Sequence, residues 1–164
     1  MKVNKFFSAA LLTLFSVGGC SASFAEKEIE PYLEVNFGSK SMQIMDGEYL
    51  SAEFDDQYVG FELGFSYDGL YVGAGREQAN INDTGYLTAG FIHNLDYNLD
   101  LGMDVSMALY DESYGVDSTG YRFSPFVLIG ERVLVGAAYE WIDIDDNNYS
   151  GSSFNLYFGM RFGI

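Results

Sequence analysis

The feature that most constrains this chain is the period of its last thirteen residues, S-S-F-N-L-Y-F-G-M-R-F-G-I. Phe154, Leu156, Phe158, Met160, Phe162 and Ile164 take every second position, with Ser153, Asn155, Tyr157, Gly159, Arg161 and Gly163 between them. Side chains alternate faces along a strand, so one face here is large and apolar and the other small or polar. An apolar face of that length needs a continuous apolar surface to meet, and the pattern predicts a strand whose outer face meets lipid.

The same alternation recurs upstream. Leu33, Val35 and Phe37 share a face opposite Tyr32, Glu34 and Asn36. Val59, Phe61, Leu63 and Phe65 oppose Tyr58, Gly60, Glu62 and Gly64. Leu70, Val72 and Ala74 oppose Tyr71, Gly73 and Gly75, and Leu87, Ala89 and Phe91 form the next outward set. Leu99 to Leu109 is the cleanest case, with Asp100, Gly102, Asp104, Ser106 and Ala108 facing inward. Tyr121, Phe123, Val127 and Ile129 follow, then Val133, Val135, Ala137, Tyr139 and Trp141 opposite Gly136, Ala138 and Glu140. With the last stretch this makes eight strands. Pro125 falls inside the sixth and removes a ladder donor, which predicts a bulge or a distorted pairing there.

The connections alternate in length. Residues 39–56, 77–85, 110–119 and 143–151 read as long acidic loops, and Asp68-Gly69, N-L-D-Y and Gly130-Glu131-Arg132 as tight turns. Asp-Gly supplies the positive φ that a two-residue hairpin needs. An even strand count, spans near ten residues and short turns on one side fit a closed antiparallel barrel that crosses a membrane. No stretch after residue 25 has the roughly 18 apolar residues of a membrane helix, and a closed barrel is the other way to satisfy the backbone in lipid.

Composition agrees. Aromatic residues make up 17% and glycines number 19 against 2 prolines, which suits strands and tight turns. The net charge of −16 leaves no basic patch for phosphates, so nucleic acid is excluded as a partner. Residues 1–25 read as a secretory signal peptide, with Lys2 and Lys5 before an apolar run and Ser23-Phe24-Ala25 as the cleavage motif, leaving 26–164 as the barrel. The only cysteine, Cys20, lies in V-G-G-C, which is similar to a lipoprotein lipobox; otherwise it leaves with the signal, and no intramolecular disulfide is possible.

Taken over 26–164, the pattern resembles the small eight-stranded outer-membrane proteins of Gram-negative bacteria, the OmpA/OmpX-like group. The resemblance implies an all-β, eight-stranded up-and-down transmembrane barrel in the outer membrane, with both termini periplasmic. It also implies an assembly signal in the last strand, carried here by Tyr157, Gly159, Phe162 and Ile164. Its implied partners are outer-membrane lipid, lipopolysaccharide, and the barrel-assembly machinery with periplasmic chaperones. A monomer is expected. The fold itself hosts adhesins, structural proteins, small channels and enzymes, so it does not name a role.

The candidate site is the barrel interior. Glu34, Glu62, Asp100, Asp104, Arg122, Glu140 and Arg161 face inward, and ionised groups in a lumen need partners. Arg122 and Arg161 are expected to pair with some of these acids, giving a plug of ion pairs; rearrangement of that plug into a narrow pore is the alternative. A soluble or lipid-anchored secreted barrel is the second alternative. Asp143, Asp145 and Asp146 with Asn147 and Asn148 offer hard oxygens to Ca²⁺ but lack the glycine and distal glutamate of an EF-hand loop. They read as a solvated loop in loose contact with divalent cations at the lipopolysaccharide surface. Tyr121, Tyr139, Trp141 and Phe154 at one end, with Tyr67 and Phe162 at the other, read as aromatic girdles. The resemblance also reaches lipid A-modifying enzymes, which use Ser and His with an acid. The single histidine, His93, reads as lipid-facing beside the N-L-D-Y turn with no serine next to it. No enzyme is expected, and no catalytic, cofactor or metal site.

Overall fold

The computed structural model describes residues 28–80, 83–110, 118–130, 132–144 and 149–164. Residues 1–25, read above as a signal segment and including Cys20, and Asp145, Asp146, Asn147 and Asn148 lie outside these. Eight strands follow one another: β1 Glu30–Asp46, β2 Tyr49–Tyr67, β3 Leu70–Ala79, β4 Thr84–Asp96, β5 Leu99–Tyr110, β6 Ser118–Ile129, β7 Val133–Ile144 and β8 Tyr149–Gly163. Each pairs antiparallel with the next, and β8 returns to β1, so the sheet closes into an up-and-down barrel without a free edge around its body.

The register fixes the shape. A row of partners leads from Leu33 through Leu63, Ala74, Leu87, Met107, Tyr121, Trp141 and Ser152 back to β1 at Gln43, a shear of ten residues (43 − 33 = 10). Eight strands with that shear tilt by roughly 40°, which gives an interior just wide enough for side chains.

The faces follow the alternation. Phe61, Leu63 and Phe65 of β2, Leu99, Leu101 and Leu109 of β5, and Phe154, Leu156 and Phe158 of β8 are all exposed on the outer surface. Tyr139 and Trp141 meet edge to face at 4.7 Å on the outer surface of β7. The buried set is inverted relative to a soluble protein, because it includes Glu34, Glu62, Glu77, Asp104, Arg122, Glu140 and Arg161.

Two expectations need correction. Residues 39–56 are not a long loop. β1 continues to Asp46 and β2 begins at Tyr49, so the segment is a hairpin arm turning at Gly47 (φ 60°) and Glu48, with a bulge at Ile44/Met45. Likewise β3 runs to Ala79 and β4 begins at Thr84, so only residues 80–83 connect them. Apolar alternation stops at Phe37 and Val59, but backbone pairing does not require apolar side chains. The Asp68-Gly69 turn has the expected positive φ at both residues, 53° and 80°. At Pro125 pairing with β5 persists, opposite Met103, while the β6–β7 ladder lapses between Phe123↔Tyr139 and Phe126↔Gly136. The register is unchanged across that gap, so the proline distorts the pairing without a bulge.

Candidate functional site

The lumen is layered. At the end carrying the tight turns, the start of β1 and the end of β8, Tyr32, Tyr71, Phe126, Leu128 and Leu134 pack into an apolar cluster, joined by Ile92 and Tyr157. At the other end Ala108, Tyr110 and Ile142 form a second cluster with Met42 and Ile144. Between them lies a polar chamber. A lumen this narrow cannot hold a side chain from every inward position, so large residues lie over glycines. The Tyr157 ring covers Gly136, where an added Cβ would sit 2.5 Å from the ring Cζ, and Tyr86 covers Gly75 in the same way.

Two arginines organise the chamber. Arg161 of β8 donates from Nε and Nη2 to Glu34 Oε2 at 3.0 and 2.7 Å. Glu34 is its direct partner across the β1–β8 seam. Its guanidinium also lies 4.5 Å from the ring centre of Tyr32, 4.6 Å from that of Tyr71 and 5.7 Å from that of Phe126. Ring faces attract a cation, and the attraction grows when water is excluded. Arg122 of β6 reaches across the lumen to Glu77 of β3 with two parallel bonds: Nη2 to Oε2 at 2.8 Å, and Nη1 to Oε1. A two-pronged bond of this kind is the strongest form of carboxylate recognition. Arg122 Nη2 also lies 3.6 Å from Glu140 Oε2, which Lys40 Nζ approaches at 3.3 Å and Ser153 Oγ at 3.0 Å.

All seven residues expected in the interior are buried, but they do not form one network. Arg161 joins Glu34, and Arg122 joins Glu140. Asp100 accepts from Asn94 Nδ2 at 2.7 Å, near the β4–β5 turn. Glu62 and Asp104 accept hydroxyls: Tyr32 and Thr88 on Glu62, Tyr71, Ser106 and Ser124 on Asp104. Two principal members are new. Glu77, assigned above to a loop, is 2% exposed and is the main partner of Arg122; Lys40, also assigned to a loop, is 5% exposed. Parity carried the signal for both. Tyr71, Gly73, Gly75 and Glu77 share a face, as do Glu34, Asn36, Gly38 and Lys40.

A cavity of about 30 Å³ remains in the chamber, lined by Glu34, Asn36, Glu62, Asp104, Arg122 and Tyr157 among others. That is room for one or two waters. His93 lies exposed on the outer face of β4, opposite Leu101 of β5. Asp143 is exposed at the end of β7, and no group of three acidic, histidine or cysteine side chains is spaced for a metal ion among the described residues. In the last strand Tyr157 and Gly159 face inward, while Phe162 and Ile164 lie on the outer surface.

No family model and no curated protein matches the chain. Solved structures do. Neisserial surface protein A (NspA) aligns over 80% of this chain and 97% of its own, at 13% identity and a TM-score of 0.52. The fold is that of the small outer-membrane barrels. The attachment invasion locus protein Ail of Yersinia pestis aligns over 81% of this chain and 99% of its own, at 15% identity and a TM-score of 0.47. A transmembrane barrel designed de novo aligns over 79% and 94%, at 9% identity and a TM-score of 0.46.

Proposed function

We propose that this chain is an integral barrel of a Gram-negative outer membrane, with a plugged lumen and a structural or cell-surface interaction role. The observation that carries the reading is the inverted distribution of polarity. Phe, Leu, Val and Met cover the outside of a closed sheet, and carboxylates and arginines fill the inside. Water would not tolerate so much exposed apolar area on a monomer, whereas lipid requires it. On this reading the termini are periplasmic, the partners are outer-membrane lipid and lipopolysaccharide, and the protein is a monomer. Tyr157, Gly159, Phe162 and Ile164 serve as the signal for the barrel-assembly machinery.

The plug follows from the layers. Apolar clusters lie at both ends of the chamber, and the cavity between them has room for one or two waters. No group in the lumen is assigned a catalytic role. The test has two arms. The protein should fractionate with the outer membrane and show heat-modifiable migration on gels; recovery in the soluble fraction would overturn the membrane reading. Reconstituted in planar bilayers, it should carry no steady single-channel current. A steady current would leave the membrane reading intact and replace the plug by a narrow pore.

A further inference from the structure

We infer that Glu62 and Asp104 hold a single proton between them and can pass it along the hydroxyls of Thr88 and Ser106. This is a property of the chamber alone and does not depend on the membrane reading.

Charge counting gives the first argument. Glu34, Glu62, Glu77, Asp104 and Glu140 face three cations, Lys40, Arg122 and Arg161. Arg161 is engaged by Glu34, Arg122 by Glu77 and Glu140, and Lys40 by Glu140. Among the described residues neither Glu62 nor Asp104 makes an ion pair. Two neighbouring carboxylates without a cation, closed off from water, cannot both stay ionised cheaply.

Donor counting gives the second. The Thr88 hydroxyl lies 2.9 Å from Glu62 Oε2 and 3.1 Å from the Ser106 hydroxyl, which lies 3.3 Å from Asp104 Oδ1. The chain Glu62–Thr88–Ser106–Asp104 thus has three oxygen–oxygen contacts, and its two hydroxyls supply two protons. One further proton satisfies all three. If it sits on Glu62 Oε2, Glu62 donates to Thr88, Thr88 to Ser106 and Ser106 to Asp104. If it sits on Asp104 Oδ1, every bond runs the other way. Passing between these states breaks three O–H bonds and forms three, moves one proton in net, and needs no other reactant. Each outer carboxylate oxygen is held by a phenol, Tyr32 on Glu62 and Tyr71 on Asp104, and the Ser124 hydroxyl also bonds Asp104, outside the chain of three contacts.

The surroundings are consistent. The charged groups facing the dyad are Glu34 of β1, Glu77 of β3, Arg122 of β6 and Arg161 of β8. The phenols are those of Tyr32, Tyr58, Tyr71, Tyr86 and Tyr157. Asn36, 7% exposed, lines the same cavity with its Oδ1 unpaired, a ready acceptor for a water beside the dyad. A metal ion would serve the charge count as well. Contacts at hydrogen-bond length and the absence of a three-ligand group among the described residues favour the proton.

The refolded barrel can be examined by infrared spectroscopy in H₂O and D₂O at neutral pH. A deuterium-sensitive carbonyl band of a protonated carboxyl is expected. It should vanish in Glu62→Gln and in Asp104→Asn singly, and persist in Glu140→Gln, with heat-modifiable migration confirming that each variant is folded. Absence of the band from the unsubstituted protein overturns the proposal, as does its survival in both variants. Carboxyl-carbon NMR titration of the unsubstituted barrel needs no variant. Loss of one proton shared by two resonances is expected on raising pH; two carboxylates already ionised at neutral pH, or responding to sodium or calcium instead, would overturn it.

Discussion

The two buried arginines solve the same problem differently. Arg161 takes its carboxylate from the adjacent strand, in register, and spends the rest of its surface on aromatic rings. Arg122 has an in-register neighbour too, Glu140 of β7, but gives its two-pronged bond to Glu77, three strands away around the barrel. The first is a clasp within the wall, at the seam where the sheet closes. The second is a strut across the lumen, and it shares Glu140 with Lys40. A clasp depends on one acid and on packing. A strut touches two acids at once, so removing it strands Glu77 and leaves Glu140 with Lys40 and Ser153.

That difference predicts the largest effect. Arg122→Ala leaves Glu77 and Glu140 without their shared guanidinium, in a chamber where both are at most 2% exposed. Breaking a buried pair by removing one partner typically costs about 3–5 kcal/mol, and the upper part of that range is expected in denaturant unfolding of the barrel in lipid vesicles. Conductance should rise in the same variant if the strut also blocks the path. Unchanged stability together with unchanged conductance would refute both the plug and any gating role for Arg122.

The clasp should fail more gently and be repairable. Arg161→Ala strands one carboxylate and empties space among three rings, for which about 3 kcal/mol is expected. Arg161→Met combined with Glu34→Gln should recover most of that loss, because an apolar side chain among Tyr32, Tyr71 and Phe126 needs no counter-charge. No single added substitution should rescue Arg122→Ala to the same degree. Equal rescue of both sites would erase the distinction between clasp and strut.

The same contrast shows what could be read from the sequence. Alternation gave the strand count, the outer face of every strand and the inward position of Arg122, Arg161 and Glu140, because parity is a local property of extended chain. It failed where the outward residues turn polar. Lys40 and Glu77 continue inward faces begun at Tyr32 and Tyr71, yet their outward neighbours Ser39, Arg76 and Gln78 hid the strand. The partner choices were hidden for a different reason. Glu77 meets Arg122 because of the shear of the closed sheet, which is a sum over eight registers and has no local signature. Closure of β8 onto β1 was legible once eight strands were counted, but the in-register pair Glu34–Arg161 was not, because the register at the seam is set by the same shear.

Lys40 tests how far the strut relies on its second cation, and the effect expected is the smallest. Lys40 Nζ lies 3.3 Å from Glu140 Oε2 and 3.2 Å from the Tyr110 hydroxyl, at the edge of the apolar cluster formed with Ile142 and Met42. Lys40→Met keeps the volume and places apolar atoms against that cluster. Glu140 then retains Arg122 at 3.6 Å and Ser153 at 3.0 Å. Relief from burying an ammonium offsets much of the lost attraction, so a change of about 1 kcal/mol is expected in the same unfolding measurement. A loss as large as that of Arg122→Ala would show instead that Lys40 is the principal counter-charge of Glu140. Arg122 would then be a partner of Glu77 alone, and the strut would reduce to a second single pair like the clasp.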